Sequence, residues 1–246
     1  MDIIQAVGVT KSFANGAMYV DAVRGIDLSV RQGELLAIVG PSGSGKSTLL
    51  NLLGAIETPT SGRVMFEGRD VATMSDTERT LLRRRRVGFI FQAFNLLPTL
   101  TAVENVALPL ELNDVSEKEA RERAMASLDL VDIADRADHF PSMMSGGEQQ
   151  RVAVARALVI GPALVLGDEP TGNLDSVNSA QVMRLLRDLT DTRGQTVVIV
   201  THDNDIAAQA DRTVRVRDGH LEELPSGSRS KSPVYYPPVG RAASWK

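Results

Sequence analysis

Gly40-Pro41-Ser42-Gly43-Ser44-Gly45-Lys46-Ser47 matches the spacing G-x-x-x-x-G-K-[ST] at every fixed position. A run of this kind does chemistry on phosphates. Glycines let the chain curl until successive backbone N–H groups point at anionic oxygens. Lys46 supplies a point charge suited to the β- and γ-phosphates of a nucleotide, and Ser47 a hydroxyl suited to Mg2+. A second run, Leu164-Val165-Leu166-Gly167-Asp168-Glu169, ends in two carboxylates. An acid at a strand's end beside a phosphate loop can hold Mg2+ through water, which assigns Asp168 to the metal. Glu169 then lies next to the γ-phosphate and can orient or deprotonate an attacking water. Without the loop, the same residues would read as a solvated acidic turn broken by Pro170. The chain has no cysteine, which excludes disulfides, thiol catalysis and cysteine-ligated zinc.

These groups need a scaffold, and the hydropathy pattern supplies one. Leu35–Val39 is a compact apolar run, as expected of a strand buried on both faces. It leads into the glycine loop, and Ser47 to Leu53 reads as a helix whose positive N-terminal end faces the phosphates. Before it, Ile3-Ile4, Val7–Val9, Tyr19–Val23 and Ile26–Val30 read as short strands, with a turn at Asn15-Gly16. Arg63–Phe66 and Val87–Phe91 are strand-like, and Ser75–Arg86 is helical. From about Ala93 to Ser145 the pattern is helical and charged, with Ser116 and Glu119 spaced as a capping box. Ala163–Leu166 and Thr196–Val200 return to strand, separated by a helix from Ser176 to Arg193 that Gly194 stops. Val214–Val216 and a turn at Asp218-Gly219 close the body. An α/β core with a helical insertion accounts for this order.

The 246 residues are 43 % hydrophobic and 24 % charged, ordinary globular proportions. Net charge is −4, but residues 225–246 hold four basic side chains and no acidic one, leaving about −8 on the rest. Such a body repels a phosphate backbone, so nucleic acid is not an expected partner. The 225–246 stretch is rich in Ser, Pro and Gly and reads as a flexible tail. The start, MDIIQAVGVT, lacks the basic and apolar regions of a secretory signal. The longest charge-free run, Val87–Val103, is broken by Gln92, Asn95 and Pro98 and falls short of the roughly 20 apolar residues of a span. Work at a membrane would need spans from another chain.

Met144-Ser145-Gly146-Gly147-Glu148-Gln149-Gln150-Arg151 resembles the LSGGQ signature of ATP-binding cassette proteins. Ser145, Gly146 and Gly147 at a helix start can present a hydroxyl and close-approaching N–H groups to an anion. The resemblance runs from about Asp2 to Leu224. It implies an ATPase with a P-loop NTPase (RecA-like) core, an N-terminal antiparallel β subdomain and an inserted α-helical signature subdomain at about 93–150. It further implies that Gln92 contacts Mg2+ and the attacking water, that Asn173-Leu174-Asp175-Ser176 is the D-loop, and that His202 reaches the γ-phosphate. Phe13 resembles the aromatic that stacks on adenine, a role open to Tyr19 as well. The nucleotide set thus comprises Phe13, Gly40, Pro41, Ser42, Gly43, Ser44, Gly45, Lys46, Ser47, Thr48, Ser145, Gly146, Gly147, Glu148 and Asp175. Glu169, His202 and Gln92 are the catalytic set; Ser47, Gln92 and Asp168 serve the metal. Met144 and Glu148 depart from the signature's usual leucine and glutamine, and Gly167 is small for its strand; none removes a reacting group.

Arg83–Leu97 and Thr101–Pro109 look like the macrolide-export and lipoprotein-release branch, and the chain stops short of a fused membrane domain, like that branch's stand-alone subunit. The resemblance implies a homodimer formed on ATP binding, head to tail, with Ser145 of one copy capping the γ-phosphate held by Lys46 of the other. It also implies a separate permease, a periplasmic adaptor in some systems, and a peripheral place on the cytoplasmic face of the inner or plasma membrane. A related cell-division type, which regulates wall hydrolases through a membrane partner, is the alternative. The four arginines Arg83–Arg86 either end a helix, where cations suit the macrodipole, or meet a partner or anionic lipid.

Overall fold

The computed structural model describes residues 1–224 with the exception of Ala17; the expected tail at 225–246 lies outside the described residues. The chain opens on two 14-residue strands, β1 (Asp2–Asn15) and β2 (Met18–Arg31), paired antiparallel. The sequence reading broke each into two short strands. The register explains why: it shifts between Ala6 and Val9 and again between Lys11 and Ser12, so bulges interrupt the period-2 alternation without ending the pairing.

β3 (Leu35–Val39) is buried at all five positions and feeds the glycine loop, followed by α1 (Lys46–Leu53). β4 (Ser61–Phe66) and β5 (Arg69–Asp70) extend the first sheet, whose order is β2-β1-β4-β5. α2 (Asp76–Arg86) begins at a capping box in which Ser75 and Glu78 satisfy each other's backbone N–H groups. It ends in the four arginines. Arg83 donates to Ala55 O at 2.8 Å and Arg86 pairs with Glu67, so two of the four are internal ties. β6 (Val87–Phe91) follows.

The insertion holds α3 (Ala102–Glu111), α4 (Glu117–Leu130) and α5 (Gly146–Leu158). α3 and α5 start at capping boxes, Thr101 with Glu104 and Ser145 with Glu148. At α4 only half of the expected box forms. Ser116 Oγ accepts from the Glu119 N–H at 3.4 Å, while the Glu119 carboxylate turns to Arg123 one helical turn on. β7 (Leu164–Asp168), α6 (Ser176–Arg193), β8 (Thr196–Thr201), α7 (Asn204–Ala207), β9 (Arg212–Arg217) and β10 (His220–Glu223) complete the body. Gly194 ends α6 in the left-handed conformation, φ 64°.

The second sheet has the order β10-β9-β3-β8-β7-β6, with only the β9–β10 pair antiparallel. Alternate residues of its central strands face opposite cores. Leu36 and Ile38 join α1 and the first sheet on one side; Leu35, Ala37 and Val39 join α3 to α6 on the other. A sheet covered on both faces explains the unbroken apolar runs in the sequence.

Candidate nucleotide site

Parallel pairing brings the carboxyl ends of β3, β6, β7 and β8 to one edge of the sheet. Asp168 is in register with Phe91 on one neighbour and Val200 on the other. Gln92, Glu169 and His202 therefore leave adjacent strands at nearly the same height, and the glycine loop leaves β3 beside them.

The loop is built for close approach. A Cβ at Gly40 would lie 2.1 Å from Val216 O, and one at Gly45, φ 102°, would lie 2.1 Å from Ala22 O. Gly45 caps α1 with no side-chain bond, so the first N–H groups of that helix keep no side-chain acceptor. Lys46 is buried and donates to Gly40 O and Pro41 O, both at 2.8 Å. Ser44 Oγ is buried without a hydrogen-bond partner among the described residues. Pro41, Ser42 and Gly43 are exposed, and Thr48 is half-buried on α1.

Ser47 Oγ donates to Asp168 Oδ1 at 3.1 Å. Burial pushes the Asp168 carboxyl up; the Ser47 bond opposes that, Glu169 adds to it, and Lys46 opposes it again. Glu169 has a left-handed backbone, φ 49°, and its N–H extends the ladder to Val200 O at 3.0 Å. Its Oε1 meets His202 Nδ1 at 3.0 Å, with the imidazole exposed and the carboxylate largely covered. A Cβ at Gly167 would press within 3.2 Å of Pro170, so the small residue in this strand makes room for the turn that carries Glu169.

Gln92 is engaged elsewhere. Its Nε2 donates to Asn173 Oδ1 at 3.2 Å, and Asn173 Nδ2 returns a bond to Gln92 O at 2.9 Å. Asp175 is the N-cap of α6, with Oδ1 accepting from the Asn178 N–H at 2.9 Å and Oδ2 from Asn178 Nδ2 at 2.7 Å. Ser145 Oγ accepts from the Glu148 N–H at 3.3 Å. Glu148 accepts from the Ser145 N–H at 2.7 Å and from Arg136 Nε at 3.0 Å. The Ser145 N–H bond chiefly holds the Glu148 carboxyl below the ordinary range. Among the described residues, no hydrogen bond joins Ser145, Gly146 or Gly147 to the glycine loop. Phe13 is exposed, paired with Val20, and lies under the Lys11 ammonium at 5.0 Å; Tyr19 is more exposed still.

The ties behind these groups carry no motif in the sequence. Arg156 donates to Asn95 O and, at 2.8 Å, to Phe94 O. Those two residues both have left-handed backbones, φ 59° and 52°. An arginine inside the apolar run Val152–Leu158 was the available signal. Asn178 packs so closely on α5 that a Cβ at Gly147 would lie 2.0 Å from its Oδ1.

Residues 23–172 match the family model described as ABC transporter. The chain belongs to the ABC transporter family. The cassette is 49 % identical over 221 residues to the lipoprotein-releasing system ATP-binding protein LolD of Psychrobacter arcticus, covering 89 % of this chain and 98 % of that protein. It is 47 % identical over 224 residues to the macrolide export ATP-binding/permease protein MacB of Syntrophobacter fumaroxidans, covering 90 % of this chain and 31 % of that protein. The cassette thus spans about a third of the length of the MacB relatives it matches. Among solved structures, it resembles a dimeric post-hydrolysis state of the ATP-binding cassette MJ0796 bound to ADP and Pi, with TM-score 0.83 and 41 % identity over 91 % of this chain and 99 % of that one. The RecA-like core, antiparallel β sheet and helical insertion expected from sequence agree with that likeness.

Proposed function

We propose that this cassette is the ATP-hydrolysing subunit of an export or lipoprotein-release complex, acting through a separate membrane permease from the cytoplasmic face. The observation that carries the reading is the Ser47–Asp168 bond, which joins two oxygen donors at the mouth of the lysine loop. Hard oxygen donors fit Mg2+. Among the described residues no group of three or more His, Cys, Asp or Glu could hold a metal; Ser47 and Asp168 would hold the ion together with a nucleotide's phosphates. Bound there, Mg2+ neutralises charge on the β- and γ-phosphates.

The remaining roles fall to the chain itself. Lys46 exchanges the Gly40 and Pro41 carbonyls for phosphate oxygens, and Ser44 Oγ gains the partner it lacks. Glu169 takes a proton from the attacking water. His202, held at Nδ1 by Glu169, turns its other ring nitrogen to the γ-phosphate. Gln92 would offer its Oε1 to the metal, while Asn173 holds its Nε2. Phe13 or Tyr19 offers an aromatic face to adenine. Asp175 contributes from the D-loop, where it also fixes the start of α6. We assign the signature turn, Ser145 to Glu148, to the ATP held by a second copy. The ADP- and Pi-bound dimer of the related cassette supports that arrangement. A terminal phosphate bridging two copies favours the dimer with ATP and, after hydrolysis, until the freed phosphate leaves; ADP alone does not hold it.

The 1–224 body is read as the nucleotide-binding domain, with its helical signature subdomain at about 93–150. No helix among the described residues is long and apolar enough to cross a membrane, which suits a peripheral subunit. A groove of about 260 Å³ lined by Arg84, Phe89, Phe91, Asn95, Pro109 and Arg156 adjoins the segment after Gln92, and we assign the permease contact to it. The export and lipoprotein-release names of the relatives favour that branch over a regulator of wall hydrolases. The test is Glu169→Gln: ATP binding retained with turnover abolished supports the reading, and wild-type turnover removes Glu169 from it.

A further inference from the structure

The geometry points to Gln150 as a positioning residue for the turn that carries Glu169, an inference that rests on the reading of Glu169 as the base. Gln150 lies in the second turn of α5 and is fully buried, at 0 % exposure. Its Nε2 donates to the backbone carbonyl of Pro170, the residue after Glu169. Its Oε1 is buried with no hydrogen-bond partner among the described residues. A buried amide with its oxygen unpaired is an expensive filler; an aliphatic side chain would pack the space without that cost. What Gln150 provides and an aliphatic residue cannot is the donor.

That donor acts on a backbone that needs holding. Glu169 is a non-glycine residue at φ 49°, a conformation that persists only where its surroundings impose it. Its N–H is tied to Val200 O at 3.0 Å and its own carbonyl accepts from the Gly172 N–H at 3.0 Å, so both ends of the turn are pinned. Between them, the Pro170 carbonyl is pinned by α5. The helix that holds it is capped by Ser145, five residues earlier, or about 7.5 Å along the axis. Gln150 therefore fixes where the Glu169 carboxylate stands relative to its own subunit's signature turn. It is closed off from the surface and bonded to the turn rather than to the phosphate loop, so its removal misplaces the base while leaving that loop intact.

Gln150→Met keeps length and burial and removes the donor. In the full chain with MgATP, kcat falls roughly tenfold to a hundredfold, as for a misplaced base, while KM, ATP affinity and Tm stay near wild type. Gln150→Glu adds a second readout. Burial raises the new carboxyl's pKa, so at acid pH its O–H donates to Pro170 O and at alkaline pH it does not. The ratio of its kcat to the wild-type value therefore climbs as pH falls. Wild-type kcat in Gln150→Met, a kcat loss that only follows a fall in Tm or ATP affinity, or a pH-independent ratio in Gln150→Glu overturns the assignment. Glu169→Gln assayed alongside separates the two readings: turnover there removes the base, whereas a dead Glu169→Gln beside a fully active Gln150→Met removes the positioning role alone.

Discussion

Gln92 and Asn173 hold each other by two hydrogen bonds, side chain to side chain at 3.2 Å and side chain to backbone at 2.9 Å, across the gap between β6 and the turn after β7. The glutamine proposed to serve the metal is thus tied to its neighbour through its amide nitrogen, and swinging the side chain toward a nucleotide breaks that bond.

Asn173→Ala frees the amide in advance. One neutral hydrogen bond is worth about 1 kcal/mol net, so the apparent affinity for MgATP should rise by up to about fivefold. Titration calorimetry with a non-hydrolysable analogue reads it. Unchanged or weaker binding would show that the Asn173 contact does not compete with the nucleotide.

Among the described residues, the Lys46 ammonium is bonded only to Gly40 O and Pro41 O. Charge-assisted bonds to phosphate are worth about 1.5–3 kcal/mol, so Lys46→Ala should weaken ATP binding by roughly ten- to a hundredfold. The fold should persist, because the sheet core does not use this side chain. Fluorescent-nucleotide binding alongside a thermal melt checks both halves.

Gly147→Ala places a Cβ 2.0 Å from Asn178 Oδ1. Overpacking of this kind costs about 1–3 kcal/mol. The added Asn178→Ala substitution should recover part of the loss, since it removes the clashing atom at the expense of the Nδ2 bond to Asp175 Oδ2, while the backbone N–H bond to Asp175 Oδ1 remains. A double-mutant cycle by denaturant unfolding measures the coupling, and strict additivity would contradict the contact.

Glu148 is held below the ordinary carboxylate range by the N–H and hydroxyl of Ser145 and by Arg136. A lowered folded-state pKa stabilises the protein above the ordinary value of 4.5, and that contribution is lost as pH falls through the lowered one. Glu148→Gln can still cap α5 but does not titrate, so its stability should fall less steeply on the acid side. Parallel unfolding curves against pH for the two proteins would show that the capping box carries no such linkage.

The central strand and the glycine loop after it were legible because each rests on a local rule. Leu35–Val39 is apolar at every position, as a strand covered on both faces must be, and the glycine loop follows it directly. The long hairpin was harder, since bulges at Ala6–Val9 and Lys11–Ser12 break the alternation that marks a strand. Gln92 could be recognised from its motif, but its grip on Asn173, 81 residues away, comes from the pairing of β6 with β7. Gln150 and Arg156 were hidden for a related reason. A polar residue on a mixed helix looks solvent-facing until the carbonyls of Pro170, Phe94 and Asn95 are folded against it.

The claim that two copies complete one another's sites is tested most directly by sedimentation of Glu169→Gln with MgATP and with MgADP. The account predicts a dimer holding two ATP molecules in the first case and a monomer in the second. A protein that binds MgATP and stays monomeric would contradict it.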